Sequence, residues 1–365
     1  MFVRLTTVVI AGVFILAPVS AKASPAVTNR PLKVGLIASL SGFAAPYGVA
    51  VQEGVELALA ERRKAGDEVE LTVQDDQSDP TKALSAYRFL RDAKGVQLVV
   101  GGSWWIRPLA PITEREEVPL LSCETRQDKD FVPSKTYFIL SGRVADWVRE
   151  YEPLFRNRGM RRGASVIFTS GFGQSISDEM RRAFSTPGRE FVGEIEYQDL
   201  QLSEARSIML RLKRTHPDVA FVDGQPEGLA TFLKRRKEMD MQSVAIVSHS
   251  AIDTGIAQKL VDYDLARNVY FLRRKPPTAE FSKRFLERYG RMPVLNADLG
   301  YSAGQMAVAA LKTQDPLATL RKGMTVDGLV FTFDENQVAD GIAQEIFQMN
   351  DKGEAVRVEV AGADR

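Results

Sequence analysis

Short apolar runs alternate with amphipathic stretches from residue 32 almost to the end of the chain. LKVGLIA (32–38) has too few polar positions for a half-exposed strand and predicts a buried one. Residues 47–65 then repeat apolar side chains at helical spacing, with Val51, Val55 and Ala58 on one face. VELTVQD (69–75) predicts a second strand. Asp79 and Pro80 mark a helix start, since Asp caps free N–H groups and Pro fits the first turn, where no N–H is needed. That helix turns Ala83, Leu84, Tyr87 and Leu90 inward and stops at Gly95. GVQLVVG supplies a third strand, residues 108–117 a short helix, and VPLLS a fourth strand.

The rhythm repeats: a helix over 144–157, a strand over 163–169, a helix over 174–184 and a strand over 190–197. Helices over 203–214 and 227–239 follow, interleaved with strands over 218–224 and 243–249 and then NVYFL. Three more helices are expected over 278–289, 297–312 and 316–322. The end changes character. GLVFTFDEN and AQEIFQMNDKGEAVRVEV read as a closing antiparallel pair with a turn at Asp351-Lys352-Gly353. Strand–helix alternation produces parallel sheets with helices on both faces, and about ten such units are too many for one small sheet. Two doubly wound α/β lobes follow, and 365 residues suit two domains.

The first residues break this pattern. MFVRLTTVVIAGVFILAPVSAKA has one early Arg, an apolar stretch over 5–17 and the small-x-small triplet Ala21-Lys22-Ala23. The stretch is short for a membrane span, which needs about 20 residues, so a signal peptide cleaved after Ala23 is expected. Basic and acidic residues nearly balance, 48 against 47, with no long run of one sign, which argues against a nucleic-acid partner. Cys123 is the only cysteine, so no internal disulfide can form. Its distance from the signal region also excludes a lipid anchor at the junction. The periplasm of a Gram-negative bacterium is the expected location.

In open α/β sheets ligands bind outside the carboxyl ends of the strands. Those ends are SLSGFAAPYG (39–48), GGSWWIRP (101–108), SCETRQ (122–127), TSGFGQS (169–175), DGQPEG (223–228) and VSHSAID (247–253). All are rich in Gly, Ser or short polar residues, and several carry a large aromatic, which suits a small-molecule pocket. Adjacent Trp104 and Trp105 cannot both enter one core from a regular helix, so one is expected in the core and the other on the cleft. Catalytic signatures are missing. There is no GxxxxGK[ST], GxSxG or HExxH, and Ile176 stands where a dinucleotide fingerprint beginning at Gly171 needs its third glycine. Two distant histidines, His216 and His249, make poor zinc ligands. Cys123, with no histidine near it, reads as an inert hydrophobe. No catalytic residue, metal or cofactor is expected.

Several segments together resemble the type I periplasmic solute-binding proteins of ABC transporters, the leucine/isoleucine/valine-binding branch. They are KVGLIASLSGFAAPYGVAVQEGVELALAE, VQDDQSDPTKALSAYRFL with GVQLVVGG, VPLLSCET, SVIFTSGFGQSISDEMRRAF, DVAFVDG, LGYSAGQMAVAAL and FTFDEN, in order along the chain. The resemblance implies a monomeric two-lobe clamp joined by a three-crossover hinge. One lobe would comprise 31–140 and 272–327, the other 141–271 and 328–365, with crossings near Leu140–Ser141, Phe271–Leu272 and Gly328. It also implies hinge closure on a small carboxylate-bearing solute (amino acid, aromatic acid or amide-like), and delivery to permease and ATPase subunits in the inner membrane. By position, Ser103, Trp104 or Trp105, Ser122, Glu124 and Thr125 would hold the ligand from the first lobe, with Tyr47 walling the pocket. Phe172, Gln225 and His249 would meet it from the second.

The chain departs from the family pattern in ways that bear on the ligand. GFG replaces the usual aromatic in an acidic context, and SWWIR replaces a serine-rich loop. An α-amino acid needs a carboxylate opposite its ammonium; Glu124 and Asp253 are the candidates. A planar or bulky carboxylate stacked on tryptophan beside Arg107 suits the loop better. A periplasmic sensory protein on the same fold is the alternative reading, and an exported α/β enzyme using Glu124 or His249 as base a third.

Overall fold

The computed structural model describes residues 30–42, 44–127, 131–274, 278–294, 296–340 and 344–360. The expected signal peptide lies outside them. From Leu32 onwards the chain forms one compact unit.

The first sheet contains β1 (Leu32–Ala38), β2 (Val69–Asp75), β3 (Leu98–Gly102), β4 (Leu120–Ser122) and β5 (Tyr137–Ile139) in the order β2-β1-β3-β4-β5. All four pairings are parallel. The second sheet contains β6 (Arg162–Phe168), β7 (Glu190–Tyr197), β8 (Val219–Val222), β9 (Ala245–Ser248) and β10 (Val269–Arg274). A further hairpin sheet holds β11 (Met324–Val326), β12 (Leu329–Phe333) and β13 (Ala339–Asp340), and β14 (Gln344–Met349) and β15 (Ala355–Arg357) return to the second sheet. The order of the second sheet is β15-β14-β10-β9-β8-β6-β7, with β14 antiparallel to β10.

Most elements fall where the hydrophobic pattern puts them, and the boundaries move for local reasons. Asp79 caps its helix as expected, accepting the N–H groups of Thr81 (2.7 Å) and Lys82 (3.0 Å). The helix expected over 174–184 begins at Gly171, because the Ser170 hydroxyl accepts the Gly173 N–H and nucleates a turn earlier. The helix expected over 144–157 is two, Val144–Glu150 and Glu152–Asn157, broken at Tyr151 ahead of Pro153. β5, three residues long, is not expected from the pattern.

The closing pair is half right. β14 and β15 are antiparallel, with Gly353 at positive φ in the turn, but GLVFTFDEN pairs with β11 and β13 instead. Phe331 and Ala339 lie in the first core beside Val34, Leu98 and Phe138. Residues 329–340 thus pack with the first core, where a crossing at Gly328 would put them in the second lobe, and β14 is the next described element to join the second sheet. The second crossing also moves, since β10 continues in the second sheet to Arg274 while Phe281 and Phe285 belong to the first core. The first core ends at Leu140, and Val144 already packs in the second lobe.

One helix pair sets the cleft edge of the first lobe. Helices Ala45–Lys64 and Ala297–Leu311 approach so closely that a Cβ on Gly54 would lie 2.0 Å from the Ala297 carbonyl oxygen. A Cβ on Gly300 would lie 2.2 Å from that of Val51. Backbone cannot yield as a flexible side chain can. Gly300→Leu is expected to destabilise the protein by at least about 2–3 kcal/mol in urea unfolding, whereas Gly66→Ala, at an open surface turn, should cost about 1 kcal/mol.

Candidate functional site

The carboxyl ends of β3 and β4 and those of β6, β8 and β9 border a single cavity of about 570 Å³. Strand order reverses between β1 and β3 in one sheet and between β6 and β8 in the other, so the cavity lies at the switch points where chain ends diverge and leave room.

On the first-lobe side, Ser103 follows β3 and is buried. Its hydroxyl accepts the Trp105 N–H (3.1 Å) and lies 3.2 Å from Ser39 Oγ. This cap starts a tight helical turn, Trp104–Leu109, in which successive side chains diverge by about 120°. Trp104 meets Tyr47, ring centroids 5.6 Å apart. Trp105 turns back against the core cluster of Ile106 and Leu109, and its Nε1 is buried with no hydrogen-bond partner among the described residues. Both tryptophans line the cavity, so the expected division into one core and one cleft residue is replaced by sharing.

Below them sits Glu124, its side chain only 2% exposed. Oε1 accepts from the Tyr137 hydroxyl and lies 3.7 Å from Arg107 Nε, while Oε2 has no hydrogen-bond partner among the described residues. Burial disfavours the carboxylate more than Arg107 and Tyr137 favour it, and its pKa is pushed up to about 7. Ser122 is fully buried and accepts the Glu124 N–H (3.2 Å); Thr125 meets Ser141 hydroxyl to hydroxyl (3.0 Å).

The second-lobe wall is aromatic. Trp147, Phe172 and His249 contact one another with centroids 5.5–5.8 Å apart. His249 Nδ1 accepts the Ala251 N–H (3.2 Å), which leaves Nε2 as donor to Asp223 Oδ1 (3.1 Å). Across the cleft the Tyr47 hydroxyl donates to Gln225 Oε1 (3.3 Å), a direct link between lobes. Burial, with Glu227 and Asp223 nearby, pushes the Tyr47 pKa up to about 12, so it remains a donor. A second link runs along the rim. Arg274, at the end of β10, donates to Asn296 Oδ1 (3.0 Å) and lies 3.5 Å from Asp298 Oδ2, both charged side chains being buried.

Tyr47, Trp104, Trp105, Glu124, Thr125, Phe172, Gln225 and His249 thus line one cavity, as their strand ends suggested. Ser103 and Ser122 stand behind its wall, their hydroxyls engaged by the turns they cap. Asp253 does not line it; it forms a bidentate pair with Arg273. Trp147, Asp223 and Arg274 join unforeseen. Asp223 was within a strand-end loop already singled out; Trp147 was hidden inside a helix and Arg274 in a strand longer than its apolar run. All three tryptophans of the chain border the cavity. Cys123 is buried beneath the floor, where burial raises its pKa and keeps the thiol protonated. Among the described residues no group of three His, Cys, Asp or Glu is arranged to hold a metal, and no helix is long and apolar enough to cross a membrane.

A family model for periplasmic binding proteins matches residues 31–357. The chain belongs to that family. Membership makes it a solute-binding protein of a non-enzymatic class. Solved structures share the two-lobe α/β fold. A solute-binding protein from R. palustris in complex with benzoate is 18% identical, with a TM-score of 0.77 over 91% of this chain and 96% of that one. A substrate-binding protein of a branched-chain amino acid transporter from Streptococcus pneumoniae, in complex with isoleucine, is 18% identical, with a TM-score of 0.73 over 90% and 100%. A third, from Rhodopseudomonas palustris with 3,4-dihydroxybenzoic acid, is 19% identical, with a TM-score of 0.72 over 92% and 99%. No curated protein matches the sequence.

Within this periplasmic binding protein the raised pKa of Glu124 has a consequence for stability. Between its ordinary value, near 4.5, and about 7 the folded chain holds a proton that the unfolded chain has released. The contribution is fully present below 4.5 and is lost as pH rises through 7. Glu124→Gln should abolish that component and be more stable than the parent at pH 8 by about 3 kcal/mol, read by urea unfolding at pH 5 and pH 8. Equal pH dependence in both proteins would contradict the assignment.

Proposed function

We propose that this protein is the periplasmic receptor of an ABC import system and that its solute is a planar aromatic carboxylate. The carrying observation is the opposition of two aromatic walls, Tyr47 with Trp104 on one lobe and Trp147 with Phe172 and His249 on the other, closing on a cavity of about 570 Å³. A flat ring fills such a slot with little entropy cost, and stacking adds about 0.5–1.5 kcal/mol beyond simple burial. Arg107, at the cavity edge, supplies the cation for a carboxylate. The benzoate and dihydroxybenzoate complexes of its structural neighbours support this class. Ser103, Ser122 and Thr125 support the walls. The leader up to Ala23 directs export, and permease and ATPase subunits receive the closed form.

A second reading rests on Asp223. Its carboxylate borders the cavity and would meet the ammonium of an aromatic amino acid. Benzoate, 3,4-dihydroxybenzoate, phenylalanine and isoleucine separate the two. Because all three tryptophans border the cavity, their fluorescence reports binding directly. Benzoates are expected to give saturable changes and to be recovered unchanged, and Trp147→Ala should weaken them about tenfold or more. Binding of isoleucine but neither benzoate would contradict the proposal. Phenylalanine binding lost in Asp223→Asn would establish the second reading.

A further inference from the structure

The aromatic-carboxylate reading raises a problem of charge that the cavity itself answers. Both of its arginines are already matched. Arg107 faces Glu124 and Arg274 lies beside Asp298, while the Asp223 carboxylate accepts from the neutral His249 ring. A monocarboxylate entering this enclosure adds one negative charge, and an uncompensated buried charge costs several kcal/mol. Glu124 is the group placed to absorb the difference. It lines the cavity, its carboxylate is shielded from water, and one of its oxygens has no hydrogen-bond partner among the described residues.

We infer that capture of a monocarboxylate is coupled to uptake of one proton by Glu124, which releases the Arg107 guanidinium to the solute and leaves the net charge of the cavity unchanged. The inference rests on the aromatic-carboxylate reading and adds to it how charge selects the solute. The proton comes from solvent and bonds to Oε2, while Oε1 keeps the hydrogen bond from the Tyr137 hydroxyl. Before binding, Arg107 is balanced by ionised Glu124; afterwards it is balanced by the bound carboxylate, with Glu124 neutral. The groups facing Glu124 are Arg107 from the turn after β3, Tyr137 from β5 and the Ser122 hydroxyl from β4. Beyond Cys123 lie Arg274 and Asp298, which compensate each other. The exchange is cheap near neutrality because burial already holds the Glu124 pKa at about 7. A zwitterion carries its own cation and needs no such proton, so Glu124 sorts monoanions from amino acids by charge.

The test is benzoate titration of tryptophan fluorescence at pH 6 and pH 8.5, with calorimetry at pH 7.5 in two buffers of different protonation enthalpy. Benzoate remains ionised over this range. With capture restricted to the protonated form, affinity should fall about 30-fold between the two pH values, and calorimetry at pH 7.5 should show roughly three-quarters of a proton taken up per benzoate, the share of Glu124 still ionised there. In Glu124→Gln the ratio of affinities should fall to near one. In Tyr137→Phe, which removes a hydrogen bond that favours the carboxylate, the midpoint should move to higher pH. Absence of proton uptake by the wild-type protein, or an unchanged pH ratio in Glu124→Gln, would overturn the inference and leave the aromatic-carboxylate reading standing. No saturable response to benzoate at either pH would remove that reading and this inference with it. The wild-type calorimetry and Tyr137→Phe keep the test decisive should Glu124→Gln fail to fold.

Discussion

The structure depends on two sheets, parallel apart from β14, that present the carboxyl ends of their parallel strands to each other across one gap. In a parallel sheet every strand exits at the same edge, and the loops that follow carry free N–H groups and side chains that cannot enter the core. Facing two such edges concentrates these groups in a cleft enclosed on both sides by rigid strands. Here β3 and β4 supply Trp104, Trp105 and Glu124, while β6, β8 and β9 supply Phe172, Asp223, Gln225 and His249. The Tyr47–Gln225 hydrogen bond spans the gap, and Arg274 reaches from the second sheet to the head of a first-lobe helix. A solute in the cavity therefore touches both lobes, and its binding energy is available to hold them together.

The cavity's chemistry follows from which polar groups the backbone consumes. Serines at the ends of β3 and β4 would be free to meet a solute in a looser loop. In this chain Ser103 caps a tight turn and Ser122 anchors the Glu124 N–H. What remains at the surface of the cavity is largely ring edges and faces, with two arginines each beside a carboxylate and Asp223 held by His249. In the proposed function the apolar walls supply affinity and the paired charges selection, because disturbing a buried pair costs more than a surface pair ever returns.

Much of this was legible in the sequence. Apolar runs of strand length gave the sheets, since burial on both faces leaves few positions for polar residues. Gly- and Ser-rich exits located the loops, and eight of the ten residues named from those loops line the cavity. The misses have physical causes. Ser103 and Ser122 stand behind the cavity wall; spacing shows that a hydroxyl is present, not which N–H it has captured. Trp147 sits on a helix whose helical pattern does not show which lobe edge it borders. Arg274 lies where strand pairing with β14 extends past the apolar run, and long-range pairing leaves no local signature. The same non-locality hides where residues 329–340 pack, for GLVFTFDEN reads as an edge strand whichever core receives Phe331.

The central claim is that the solute is held between the lobes and draws them together. Small-angle X-ray scattering of the protein with and without saturating benzoate tests it most directly. The account predicts a smaller radius of gyration in the bound form, with no change in mass. A radius that stays constant while tryptophan fluorescence reports full occupancy would contradict it.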